Sequence, residues 1–182
     1  MRNAEVHQTL TPAVPFYEAM SPTIASPPLT ATIWTDVSFN NLEWCTSDFI
    51  QNVNDGSVKV VTSGLYLVEY DIAIRYAANP DSAVIESRFK INGNAMERCM
   101  AIMSIYSTGS VNEYGYLHLA KVLYLKAGDV ILPQIRSSKT GAIIYLDPNN
   151  GIYYGRFAIS FIPTGGWNNG FGGKIINMGI RR

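Results

Sequence analysis

The chain has 182 residues, enough for one domain with a sizeable core and cramped for two. Lys and Arg total 14 and Asp and Glu total 14, and the basic residues are scattered apart from Arg181 and Arg182, which excludes the basic footprint of a nucleic-acid binder. Only 15% of residues are charged, low for a soluble monomer, so much of the surface is expected to lie under partner subunits.

The first residues, Met-Arg-Asn-Ala-Glu-Val-His, lack the apolar run and small-residue cleavage site of a secretion signal. No stretch approaches the ~20 apolar residues of a membrane span, so synthesis in a cytoplasm without membrane insertion is expected. Residues 1–30 carry Pro12, Pro15, Pro22, Pro27 and Pro28 and show neither helical nor strand periodicity. They read as an extended arm, with Phe16, Tyr17, Met20 and Ile24 as apolar groups that dock on a neighbouring subunit.

Residues 31–163 form the domain, in which short β-type runs alternate with turn residues and nothing helical occurs; this predicts an all-β jelly-roll sandwich. In the run 64–76 the even positions Tyr66, Val68, Tyr70, Ile72 and Ile74 are all apolar and form the core face of a strand. Its odd face, Leu65, Leu67, Glu69, Asp71, Ala73 and Arg75, is mixed and suits a subunit contact. Asn92-Gly93 after a strand predicts a type I′ hairpin, because both central residues of that turn need positive φ. Residues 123–131 read as a second hairpin, strand, tight turn and strand, with Asp129 bonding its own turn, and residues 147–151 as a third turn before a closing strand at 153–162. Residues 164–182 are rich in Gly and Asn and carry Trp167, Phe171, Ile175 and Ile176; they predict a second arm that docks on another chain.

The residues offer little chemistry. His7 lies in the arm, and His118 alternates with Leu117 and Leu119, which places it on the non-core face of its strand. No nucleophile elbow, phosphate-binding glycine loop or His-Glu-x-x-His is present, so neither catalysis nor a cofactor is expected. Cys45 and Cys99 lack metal-ligand spacing and read as buried or semi-buried thiols. Asp55, Asp129, Asp147 and Asn149 have local turn reasons to be where they are, so no metal site is expected. Tyr106, Tyr114, Tyr116, Tyr124, Tyr145, Tyr153 and Tyr154 either cover an outer sheet or offer stacking surfaces to a glycan or receptor.

Several segments, in order, resemble the C1q/TNF-like superfamily: Val37-Ser38-Phe39-Asn40, Phe49 with Val53 and Gly56, and Val60-Val61-Thr62-Ser63-Gly64-Leu65-Tyr66-Leu67-Val68. Lys90-Ile91-Asn92-Gly93, Leu123-Tyr124-Leu125-Lys126-Ala127-Gly128-Asp129-Val130-Ile131 and Gly155-Arg156-Phe157-Ala158-Ile159-Ser160-Phe161 complete the match. The resemblance implies a ten-strand jelly roll in two sheets, assembled as a homotrimer around the inner sheet. By the same resemblance Leu67, Glu69 and Asp71 point at the three-fold axis, and Arg156, Ala158 and Ser160 join the contact. Phe157, Ile159, Phe161, Ile131 and Ile135 fill the core, while Leu132 and Gln134 turn toward a neighbour. Glu69 and Asp71 are acidic where many relatives are apolar, so their clustering must be offset by Arg75, Arg156, water or a cation.

Domains of this superfamily also occur in bacteriophage structural proteins and bacterial surface fibres. A trimer with adhesive arms at both ends most resembles a virion component: a capsid decoration or cement protein, or a head-fibre component. This implies other virion proteins as partners and a location in the virion after synthesis in the host cytoplasm. The alternative is a trimeric receptor- or glycan-binding knob of a phage fibre or bacterial surface protein.

Overall fold

A computed structural model describes residues 14–20, 28–76, 81–107, 113–144 and 155–163. The described chain contains twelve strands and no helix. They are β1 (Phe16–Met20), β2 (Thr35–Asp36), β3 (Asn41–Cys45), β4 (Phe49–Gln51), β5 (Val58–Val60) and β6 (Gly64–Tyr76), then β7 (Asp81–Ile91), β8 (Asn94–Ser107), β9 (Glu113–Leu125), β10 (Val130–Ser137), β11 (Ala142–Ile144) and β12 (Gly155–Ile162). The first sheet runs β3-β1-β12-β6-β9 and the second β4-β5-β10-β7-β8. All the pairings between these strands are antiparallel.

Two short strands exceed the ten implied by resemblance, and each has a physical reason. β12 pairs with β6 only from Leu65 to Ile72, so the far end of β6 would have unpaired backbone groups; β11 takes Ile74, Arg75 and Tyr76 instead. In the second sheet β5 reaches only Val130 and Ile131 of β10, and β2 pairs with Gln134 and Ile135 farther along.

The core lies between the sheets. Tyr66, Val68, Tyr70, Ile72 and Ile74 of β6 are all fully buried, as the period-two pattern predicts. Phe157 sits at the centre of an aromatic cluster, with ring centroids 5.7 Å from Tyr17, 5.7 Å from Phe39 and 6.5 Å from Phe89. Ile131 and Ile135 point inward, Ile159 is fully buried and Phe161 packs against the same cluster.

The Asn92-Gly93 turn is the predicted hairpin: φ is +50° at Asn92 and +80° at Gly93, and the turn joins β7 to β8. The turn at 126–129 differs from expectation, since β9 belongs to the first sheet and β10 to the second. It is a crossing between sheets and not a hairpin. Local chemistry holds it as anticipated, with the Lys126 N–H donating to Asp129 Oδ2 at 2.8 Å. Asn92 then ties this crossing to the β7–β8 hairpin: its Nδ2 donates to Asp129 Oδ1 at 2.7 Å, and its Oδ1 accepts from the Val130 N–H at 2.9 Å.

The N-terminal reading needs the larger correction. Residues 16–20 are a strand inserted between β12 and β3, with Tyr17 and Ala19 fully buried in their own domain. Tyr17 therefore cannot dock on a neighbour, and the sandwich extends N-terminal to residue 31. Ile24, Trp167, Phe171, Ile175 and Ile176 lie outside the described residues, as do the 147–151 turn and Tyr145, Tyr153 and Tyr154.

Candidate assembly face

Because side chains alternate along a strand, burying the even residues of β6 forces the odd ones to the opposite side of the first sheet. The register then aligns them with neighbours in rows. One row is Trp44, Glu18, Ala158, Glu69 and Ala120; another is Phe16, Ser160, Leu67 and Val122; a third is Met20, Arg156, Asp71 and His118. No third layer of the described chain covers this face, and Trp44, Tyr116, Val122 and Tyr124 are 64%, 69%, 54% and 66% exposed on it. Exposed aromatic and aliphatic side chains gathered on one face are a feature that interaction surfaces share.

Its centre is polar but internally paired. Arg156 donates through Nε to Glu18 and through Nη1 to Glu69 Oε1 at 3.1 Å. Partial burial works against the charge of Arg156, yet Glu18 and Glu69 outweigh it and raise its pKa. Asp71 Oδ1 lies 2.6 Å from His118 Nδ1. Arg156 offsets much of the acidic clustering noted in the sequence, and Glu18 is an additional member of the cluster.

Of the predicted contact residues, Leu67, Glu69, Asp71, Arg156 and Ser160 share this one face; Ala158 lies on the same side but is already fully buried by its own chain and has no surface left for a neighbour. Phe16 and Met20, assigned above to an arm, also stand on it, half-buried. Leu132 and Gln134 do not. They belong to the second sheet and are 5% and 8% exposed, covered by their own chain. Gln134 accepts from Arg88 Nε at 3.0 Å and donates to Asp36 Oδ1 at 2.7 Å. The indole of Trp34 lies against the same region, 3.9 Å from the Arg88 guanidinium and 4.7 Å from that of Arg136. The segment carrying Trp34 and β2 thus occupies the place the resemblance gave to a neighbour.

Sequence reasoning missed Trp44 and Val122, and it named Tyr116 and Tyr124 as outer-sheet or stacking aromatics without placing them on this face. The β9 residues had a signal: they alternate with buried Leu117, Leu119 and Leu125. Trp44 had none, since a bulge between Glu18 and Ala19 resets its side of the sheet.

Elsewhere, Cys45 is exposed and not buried, because β3 is an edge strand. Partial burial of its sulfur and the nearby Asp48 push its thiol pKa up, which disfavours the reactive thiolate. Asp55 accepts from the Ser57 N–H at 2.8 Å, a turn role, and among the described residues no cluster of three His, Cys, Asp or Glu is placed to hold a metal. No helix among the described residues is long and apolar enough to cross a membrane.

Two facing antiparallel sheets with this strand order define a C1q/TNF-like jelly-roll sandwich. The chain is similar to murine APRIL, a TNF-family jelly roll whose crystal structure was determined at pH 5.0, with 14% identity and a TM-score of 0.55 over 82% of this chain and 100% of that one. At such low identity the likeness concerns the fold alone. No family model matches the chain, and no curated protein matches it in sequence.

Proposed function

We propose that the chain is a non-enzymatic homotrimeric structural module, a virion capsid decoration, cement or head-fibre component that meets its shell through its terminal segments. The uncovered face of the first sheet carries this reading: it combines exposed aromatics with charged groups already paired inside one copy. Covering one of these aromatics contributes roughly 2–3 kcal/mol at ~25 cal/mol per Å². The resemblance to a superfamily of three-fold jelly rolls supports three copies over two. The docking role falls to the segments 1–13 and 164–182, the latter with Trp167, Phe171, Ile175 and Ile176, since residues 16–20 serve the sandwich.

Sedimentation equilibrium at micromolar concentration tests the assembly; a monomer there sinks the proposal. Deleting residues 1–13, or 164–182, should leave a soluble trimer that no longer binds particles. Unchanged particle binding by both truncations, with capture by a glycan array, would favour the receptor- or glycan-binding knob.

A further inference from the structure

We infer that Asn92 is a spontaneous deamidation site that the native fold holds shut, and that its conversion unfastens the joint between the β7–β8 hairpin and the 126–129 crossing. Asn followed by Gly favours this reaction because glycine has no side chain to shield its backbone nitrogen. The deprotonated Gly93 nitrogen attacks Asn92 Cγ, the Cγ–Nδ2 bond breaks and ammonia leaves. Water then opens the succinimide ring at either carbonyl, giving aspartate or isoaspartate. Water is the only other reactant, and nothing is oxidised or reduced.

Neither burial nor crowding protects the pair. Asn92 and Gly93 are both exposed, and a Cβ placed on Gly93 would meet nothing within 4 Å. Backbone conformation and hydrogen bonds do the holding. Ring closure needs Asn92 Cβ and the Gly93 nitrogen on the same side of the Cα–C bond, whereas the left-handed conformation at Asn92, with φ +50°, sets them on opposite sides. The Asn92 N–H fixes that conformation by donating to the Val130 carbonyl at 2.9 Å. The side chain is pinned at both ends. A backbone N–H can only donate, so Oδ1 faces the Val130 N–H at 2.9 Å, and Nδ2, the departing group, faces Asp129 Oδ1 at 2.7 Å. The turn must therefore open locally before the ring can form.

The product cannot refasten. A carboxylate at position 92 has no donor for Asp129 and sets a second negative charge against it, and isoaspartate also lengthens the backbone of the turn. A chain that stays folded keeps its joint, and one that opens there loses it irreversibly.

The test incubates the full chain in mildly alkaline buffer, with and without urea, and follows each Asn-Gly peptide by mass spectrometry. In urea Asn92 should deamidate at a rate comparable to Asn150 and Asn169, which also precede glycine. Without urea the Asn92 rate should fall by roughly 30-fold, the factor that two net hydrogen bonds supply. Equal rates at Asn92 in the two buffers overturn the protection. Asn92→Asp should unfold at lower urea than wild type. Adding Asp129→Asn should restore the midpoint, because the new amide can donate to the new carboxylate while its oxygen still accepts from the Lys126 N–H. A wild-type midpoint for Asn92→Asp, or no recovery in the double variant, overturns the unfastening; recovery remains readable even where the single variant does not fold.

Discussion

Arg156 on β12 and Glu69 on β6 are joined diagonally at 3.1 Å, and the same guanidinium reaches Glu18 on β1 from its other side. One cation thus holds two carboxylates from the two strands that flank it. Arg156→Met should leave both acids without that partner. In the monomer, where these groups are partly exposed, the loss should be about 1 kcal/mol in urea unfolding. If the proposed trimer buries this face, its formation should weaken by at least tenfold. Adding Glu18→Gln and Glu69→Gln to the same chain should restore most of the association; sedimentation equilibrium reads all three forms.

Leu67 stands outward on β6, half-buried between Ser160 and Val122. Leu67→Asp should fold with unchanged far-UV circular dichroism yet sediment as a monomer, because it places a new charge in each copy where the face must become dry. A trimer of normal stability from this variant would remove the face from the interface.

Gly56 is a backbone requirement. Its φ is +73°, and a Cβ there would lie 2.6 Å from the Phe39 backbone nitrogen. Gly56→Ala should cost about 1–3 kcal/mol, since both the conformation and the close approach oppose a side chain. At roughly 2–4 °C per kcal/mol for a domain of this size, the melting temperature should fall by about 2–12 °C.

Trp34 lies against Arg88 and Arg136 on the second sheet, and Arg88 in turn donates to Gln134, which bonds Asp36. Trp34→Ala should lose about 0.5–2 kcal/mol for each cation–aromatic contact, together with the cover over that sheet. Because this region is remote from the assembly face, thermal stability should drop while the monomer–trimer equilibrium constant changes little.

Cys45 should alkylate slowly at neutral pH. Burial and Asp48 raise its thiol pKa, so at a given pH less thiolate is present than on an ordinary cysteine, and the rate profile moves to higher pH. Asp48→Asn should shift that profile back down, as read by iodoacetamide labelling of the Cys45 peptide. No shift would mean that Asp48 exerts no field at the sulfur.

The legible parts of the fold were those with local causes. Strand β6 announced itself by unbroken alternation, and the Asn92-Gly93 turn by its need for positive φ. β1 stayed hidden because Phe16 and Met20 make its outward side as apolar as the inward side of Tyr17 and Ala19, which erases the period, and because prolines surround it. The outward residues of β6 were legible from its alternation, and those of β12 from the superfamily resemblance, with the register between the two strands bringing both sets to one face. Leu132 and Gln134 were misplaced since nothing local to β10 reveals that Trp34, about a hundred residues earlier, returns to cover it. The 126–129 turn was misread for a related reason: turn chemistry fixes a reversal of the chain, not which sheet the next strand joins.

The position of β12, between β1 and β6, has a consequence for biosynthesis. Phe16 waits for Ser160, and Leu65 waits for Ile162, so a growing polypeptide that has not yet emitted residues 155–162 has a gap through the middle of its first sheet. Such distant pairing slows folding, because the loop between the paired strands must close before their contacts form. The outward face of that sheet is therefore continuous only once β12 lies between β1 and β6.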